Sequence, residues 1–216
     1  NTLFITYDGM SDSLGQSQIM PYLKGISNHP RNIYLLSFEK KNRIAKYKKL
    51  VNDFMYNNNI HWYKLSFTKN FGKVTKIYDI IKLIFLVYFI VFKNNIKIIH
   101  GRGLIPSFIS VIVKYSLPFL KIKNIFDYRG MWPDERLDNN ILKKNNFFDT
   151  LIYKFLKKID NFTLNNSNFI IFLTQNIKSE LKFKLKKEFK NSVIIPCCVD
   201  YNFFNYSKKN KLNKIM

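Results

Sequence analysis

Apolar and polar positions along this chain follow two alternating rhythms. Short, nearly unbroken apolar runs recur, and between them lie longer stretches in which apolar residues return every three or four positions. The runs predict strands over 3–7, 32–38, 61–65, 96–100, 124–127, 169–173 and 192–195. The longer stretches predict helices over 17–28, 43–56, 73–93, 105–115, 147–165 and 176–189, each long enough to carry the chain from one strand to a parallel neighbour. Such alternation is the pattern of repeated βαβ units, so the expected fold class is α/β, with a doubly wound, mostly parallel, Rossmann-like sheet.

Within this pattern several elements carry more detail. The helix from Phe147 is expected to bury Leu151, Phe155 and Ile159, with Ile152 and Leu156 beside them, and to turn Lys154, Lys157 and Lys158 outward. Thr174 follows a strand and is placed to cap the next helix through its hydroxyl. The apolar run from Leu83 to Phe92 is about half of the ~20 residues a membrane span needs, so it predicts a buried core helix. From Val199 the periodicity gives way to an Asn- and Lys-rich stretch bearing Tyr201, Phe203, Phe204 and Tyr206. The expected organisation is therefore one domain over 1–198 and a linker over 199–216. No internal repeat is visible.

Composition changes this picture in three ways. With 216 residues, 47% of them apolar, the chain can bury a full core. Its net charge of +22 attracts phosphates, nucleic acid or anionic lipid surfaces, although a Lys excess in an Asn-, Ile- and Phe-rich background equally suits a biased genome. No helix-turn-helix, zinc or RNA-binding aromatic signature accompanies the charge, so nucleic acid is not the expected partner. The two cysteines, Cys197 and Cys198, are adjacent, where strain opposes a mutual disulfide. With His29, His61 and His100 scattered they assemble no metal-ligand spacing, so no metal and no other cofactor is expected. The chain opens on an apolar strand without the features of an export signal, and a reducing, cytoplasmic setting is the expectation.

Candidate chemistry belongs at the carboxyl ends of the strands, where open parallel sheets bind ligands. After the first strand runs Asp8-Gly9-Met10-Ser11-Asp12-Ser13-Leu14-Gly15-Gln16-Ser17-Gln18. It reads either as a phosphate site at a helix start or as a turn capped by Ser13 or Ser17, with glycines supplying positive φ. After the fourth strand, His100-Gly101-Arg102-Gly103 sets an imidazole and a guanidinium between glycines that admit a ligand, and Arg102 there has little packing to do. The densest cluster is Asp127-Tyr128-Arg129-Gly130-Met131-Trp132-Pro133-Asp134-Glu135-Arg136. Its carboxylates suit sugar hydroxyls or a proton, Arg129 suits a phosphate, and Trp132 suits stacking on a sugar or apolar group. The plainer alternative is a salt-bridged surface loop anchored by Trp132. Cys197 and Cys198 read as small packing residues.

Taken in order, YDGMSDSLGQSQIMPYL, IIHGRG, IFDYRGMWPDER, FLKKIDNFTLNNSNFIIFLT and IPCCVDYNFF resemble the N-terminal half of glycosyltransferase family 4 enzymes of the GT-B architecture. The resemblance covers nearly the whole chain. It implies sugar transfer, with retention, from a nucleotide-sugar to a glycan or lipid-linked acceptor. It gives the donor diphosphate to Gly15 and Gln16, and the acceptor to Asp8, His100, Arg102, Asp127, Arg129, Trp132 and Glu135. Arg129 stands where many members carry a histidine, which leaves Arg129, Asp134 and Glu135 as catalytic candidates. IPCCVD resembles the family's Ile-Pro-Asn-Gly-Val-Asp exit, with two cysteines replacing Asn and Gly. The family's nucleotide-binding half, with its paired glutamates, is not among these residues, so the resemblance implies that this chain alone is inactive. Peripheral attachment to the inner face of the cell membrane, through the basic surface and the helix near Ile80 to Phe92, is a further expectation. A basic nucleic-acid-binding module and a non-catalytic scaffold domain are the alternatives.

Overall fold

The computed structural model describes residues 1–28, 32–68 and 72–198, with residues 72–74 described as backbone only. The expected linker over 199–216, and His29, lie outside these residues. Seven strands form one parallel sheet: β1 (Thr2–Thr6), β2 (Ile33–Glu39), β3 (Ile60–Ser66), β4 (Ile98–Arg102), β5 (Lys123–Tyr128), β6 (Phe169–Phe172) and β7 (Ser192–Ile194). Their order is β3-β2-β1-β4-β5-β6-β7, so the winding reverses between β1 and β4. That gap is the switch point at which doubly wound sheets leave room for a ligand.

The reversal distributes the helices. α1 (Met20–Ser27) and α2 (Lys41–Asn57) cover one face over β1 to β3, where Leu23, Val51 and Met55 meet Phe4 and Leu35. α3 (Gly72–Lys93), α4 (Leu104–Ser116), α6 (Phe147–Asn166) and α7 (Gln175–Leu185) cover the other face. Among the described residues no helix covers the first face over β5 to β7. Thr174 caps α7 as expected, accepting the Ile177 amide at 3.2 Å.

Two helices bury only part of the faces that the periodicity predicts. In α6 the residues turned inward are Ile159, Asp160, Thr163 and Leu164, whereas Leu151 and Phe155 are 47% and 62% exposed. Both sides of this helix carry apolar residues, so spacing alone did not identify the buried side. Lys157, expected to project outward, is folded back onto Asp134 at 2.9 Å. In α3, Leu83, Val87, Ile90 and Val91 are buried, but Ile81, Phe85, Phe89 and Phe92 stand exposed, so half of the expected core helix faces outward. No helix among the described residues is long and apolar enough to cross a membrane.

One further helix, α5 (Trp132–Asp138), lies within the stretch expected to be a loop. Its signals are present in the sequence. Pro133 sits at the helix start, where the missing N–H costs nothing, and Asp134 and Glu135 lie in the first turn, complementing the dipole.

Between β5 and α6 lies a buried acid. Asp160 accepts a bond from the Tyr128 hydroxyl at 3.1 Å. Burial, the largest influence, pushes its carboxyl up to about 6 against the opposing effects of that bond and Lys157. Between the unfolded value of 3.8 and about 6 the folded state holds a proton that the unfolded state releases. Stability from this group is therefore present below the unfolded value and is lost as pH rises through about 6. Asparagine can still accept from Tyr128 and carries no charge. Relative to Asp160→Asn, the parent should lose about 2–3 kcal/mol between pH 4 and pH 7 in urea unfolding. A difference that stays flat with pH would remove Asp160 as its source.

Candidate functional site

The loop after β1 is organised by a residue absent from the expected set. Glu39, buried at the end of β2, accepts bonds from the amides of Met10 and Ser11 at 2.7 and 3.2 Å. The Ser11 and Ser37 hydroxyls donate to it at 2.5 and 2.7 Å. Two amides that were candidates for a phosphate are thus held by a carboxylate. Gly9 and Gly15 do not adopt positive φ; among the described glycines Gly103 alone does, at φ +84°. Gly15 is required by close approach instead, since a Cβ there would overlap Gly9 O and lie 2.7 Å from Met10 Cα. Ser13 and Ser17 do not supply the expected caps. A π-helical stretch, Gly15–Ile19, follows Leu14, which is itself helical and makes no side-chain cap bond.

That π-helical stretch decides which glutamine reaches the site. Its wide turn is in effect one inserted residue, which shifts the phase of the side chains. Gln16 donates to Ser11 O at 3.2 Å and borders a separate hollow with Lys24 and Phe54. Gln18 instead points to the strand ends, where its Oε1 accepts from Arg102 Nη2 at 2.9 Å and from Arg129 Nη2 at 3.2 Å. Leu14, Gln18 and Tyr22 recur every four residues, and that spacing was the available signal.

Across the switch point, Thr6, Arg102 and Asp127 share one row of the sheet. Asp127 is buried, and its Oδ2 lies 3.4 Å from Arg102 Nη1 and 3.7 Å from His100 Nε2, while Arg129 Nη1 stands 3.4 Å from Oδ1. Burial pushes the Asp127 carboxyl up, but His100, Arg129 and Arg102 together outweigh it and hold the group below the ordinary carboxylate value. Contrary to expectation, Arg102 is well packed. Its side chain is 7% exposed, and its Nε faces Asp8 Oδ2 at 3.5 Å. Gly101 serves helix packing rather than a ligand, because a Cβ there would meet the Ser107 amide of α4 at 2.5 Å.

The remaining carboxylates separate. Asp134 accepts from Tyr153 and Lys157 at 2.8 and 2.9 Å on the α6 side, away from the strand ends. Although burial raises its pKa, Lys157 and Tyr153 more than offset this and hold it low. Glu135 borders the cleft, seated over the backbone of Gly130, and burial followed by the charges of Asp134 and Asp138 pushes its carboxyl up. Two neighbouring acids driven apart in this way suit different tasks. Of the two, Glu135 is the one that borders the cleft.

Two hollows result. One, of about 470 Å³, opens at the switch point between Asp8, Leu14, Ile105, Trp132 and Glu135. The other, of about 410 Å³, lies on the open sheet face between Tyr22, Asp127, Ile171 and Ile195. Gln18, Arg102, Arg129 and Cys197 border both. Arg136 stacks over the Trp132 ring at 4.2 Å and fixes its plane. Cys197 and Cys198 are exposed free thiols rather than packing residues, and Arg129 Nη2 donates to Cys197 Sγ at 2.9 Å. The strand-end residues expected to act together are thus assembled, with Gln18, Tyr22 and Cys197 added; Gln16 and Asp134 point elsewhere. Among the described residues no three His, Cys, Asp or Glu side chains converge as a metal site would require.

No family model matches this chain, and no curated protein sequence does. Its fold is found in solved structures. Sucrose-phosphate synthase from Thermosynechococcus elongatus superposes with a TM-score of 0.64 at 8% identity, over 92% of this chain and 48% of that one. A glycosyltransferase from Rickettsia africae matches with a TM-score of 0.57 at 15% identity, over 99% and 48%. UDP-GlcNAc 2-epimerase from Neisseria meningitidis, solved with UDP-GlcNAc bound, matches with a TM-score of 0.51 at 12% identity, over 89% and 44%. The chain therefore spans about half the length of the solved structures it matches.

Proposed function

We propose that this chain is the acceptor-side half of a family 4, GT-B glycosyltransferase that moves a sugar from a nucleotide-sugar to a glycan or lipid-linked acceptor, with retention. The observation that carries this reading is the assembled cleft at the switch point, on a fold that covers one half of solved glycosyltransferases. In the reaction the donor's bond from sugar to diphosphate breaks, with the electron pair leaving on the diphosphate. An acceptor oxygen bonds to the sugar carbon as its proton passes to the leaving diphosphate.

In this half, Asp8 and Glu135 are placed to accept acceptor hydroxyls, and Trp132 offers a flat apolar face for stacking. The donor diphosphate is assigned to the loop around Gly15, near the start of a helical stretch whose dipole favours anions, although Gly15 itself is packed against Gly9 and Met10. Gln16 contributes less, because its side chain turns toward Ser11. The donor's nucleotide is assigned to a second α/β half beyond these residues, so the chain alone is inactive.

Attachment to the cytoplasmic face of a membrane is part of this proposal, and α3 supports it. Its outward stripe of Ile81, Phe85, Phe89 and Phe92 ends beside Lys93, whose Nζ stands 5.4 Å from the Phe89 ring centre, on a chain of net charge +22. Exposed apolar rings on a basic chain match an anionic lipid surface.

Three measurements on the full-length protein test these assignments. Full-length protein should release UDP from a UDP-sugar only when an acceptor is supplied, which distinguishes transfer from epimerisation. It should also pellet with anionic but not neutral vesicles at low salt, and Arg129→Ala should reduce turnover by ~100-fold. Absence of nucleotide-sugar turnover would overturn the enzyme assignment, indifference to lipid charge the membrane placement, and an unchanged Arg129→Ala rate the site.

A further inference from the structure

We propose that Arg102 and Arg129 form a reader for an oxyanion carried by an amphipathic acceptor, a phosphate ester with an apolar group beside it. That the ligand is the acceptor rests on the transferase function proposed above; the anion site itself does not.

The two guanidinium groups are drawn together, and their acids, Asp127 for both and Asp8 for Arg102, stand at 3.4 to 3.5 Å rather than in close pairs. Both donate to a single neutral acceptor, Gln18 Oε1, at 2.9 and 3.2 Å. The carboxylate between them, Asp127, is 3.4 Å from each, at the outer limit of a hydrogen bond. Arg102 Nε, on a side chain only 7% exposed, is buried and has no hydrogen-bond partner, the Asp8 carboxylate standing 3.5 Å away. Buried donors in this condition are costly unless something accepts from them. Around the hollow on the open sheet face the two guanidinium groups meet one carboxylate, Asp127, while Asp8, 3.5 Å from Arg102 Nε, lies toward the other hollow. At its mouth, an N–H of Arg129 is bonded to the Cys197 thiol at 2.9 Å. Sulfur is a weak acceptor, and an oxyanion replacing it gains the charge-assisted bonds that guanidinium groups make best.

The second half of the inference comes from what lies beside the pair. The hollow at the switch point, which both arginines also border, has a wall of Leu14, Leu104, Ile105, Pro106 and Trp132. Its acids, Asp8 and Glu135, repel an anion from that part of the hollow and leave the Gln18 and Cys197 side as the place for negative charge. A wholly polar anion leaves the apolar wall wet, and a neutral amphiphile leaves the arginines with only Gln18 and their long contacts to Asp127 and Asp8. A phosphate with an adjoining apolar group satisfies both.

The test is calorimetric titration of this chain with octyl phosphate, inorganic phosphate, octyl glucoside and UDP. Octyl phosphate should bind at least tenfold more tightly than inorganic phosphate, and octyl glucoside should not bind. Arg129→Gln should weaken octyl phosphate at least tenfold, Arg129→Lys less, and the surface variant Lys49→Gln not at all. Ile105→Ser should reduce the preference for octyl phosphate while leaving inorganic phosphate unchanged, a split that general loss of structure would not produce. Displacement of octyl phosphate by phosphatidate vesicles would identify a lipid headgroup as the source, and binding of the soluble ester alone a free phosphate; both support the site.

Equal binding of octyl glucoside, or an Arg129→Gln variant that binds as the parent does, would overturn it. Displacement by UDP would transfer the pair to the donor and overturn the acceptor assignment. Octyl phosphate binding without sugar transfer by the full-length protein would defeat the transferase function and leave the anion site standing. Transfer activity with binding insensitive to Arg129 would do the reverse.

Discussion

Glu39→Ala should lower the stability of this domain by about 4 kcal/mol, read as a fall in the urea midpoint at unchanged slope. The carboxylate is buried and accepts from two backbone amides and two hydroxyls, each bond to a charged group contributing about 1.5–3 kcal/mol and not additively. Truncation removes the acceptor and leaves the amides of Met10 and Ser11 enclosed without a partner. Glu39→Gln should fall between parent and alanine, because one oxygen survives while the new NH₂ group faces donors. The consequence reaches the site. The clamped loop leads directly into Leu14 and Gln18, so Glu39→Ala should also weaken ligand binding at Arg102 and Arg129, residues it does not touch. An alanine variant within about 1 kcal/mol of the parent would show that the clamp is not what orders the loop.

Gly15→Ala should be nearly as damaging, at about 3 kcal/mol or more, although it adds only a methyl group. The added Cβ would meet backbone on both sides, Gly9 O and Met10 Cα, and neither can withdraw while Glu39 holds Met10 and Ser11 in place. Gly25 supplies the contrast. It lies in α1 with nothing within 4 Å of the place an added methyl group would take, so Gly25→Ala should be neutral or stabilise by up to about 1 kcal/mol through helix propensity. Chemical unfolding of the two variants side by side measures the difference. If Gly15→Ala were as mild as Gly25→Ala, the close approach would not be real. It follows that lost turnover in a Gly15 variant of the full-length protein reports on loop packing before it reports on the donor diphosphate. Arg129 and Gln18 are the better probes of binding.

These two residues also mark how far the pattern of the chain could be read. Glycine at position 15 stood out as a place where something must come close, but what comes close is the loop's own backbone. Glu39 was invisible as a site residue, because it closes an ordinary apolar run and its partners lie 28 and 29 positions earlier. Gln16 and Gln18 both lie in a polar loop; the four-residue recurrence of Leu14, Gln18 and Tyr22 favours Gln18, but the π-helical turn that sets its direction leaves no compositional mark. Asp134 and Glu135 are adjacent acids in one motif, yet a lysine and a tyrosine from α6 draw one of them out of the cleft.

By itself the sequence determined the α/β class, the seven strands and most of the helices, because these follow from local periodicity: burying an apolar stripe or run is a property each segment carries alone. It also determined that polar, glycine-bearing segments follow the first, fourth and fifth strands. Tertiary structure decided that β1 and β4 are neighbours and that the winding reverses between them, and so brought Asp8, Gln18, Arg102, Asp127 and Arg129 into one cleft. It also decided which apolar side of α6 and α3 met the sheet. Strand order, helix rotation and buried partners depend on contacts between segments far apart in the chain, and no rhythm within a segment encodes its neighbour.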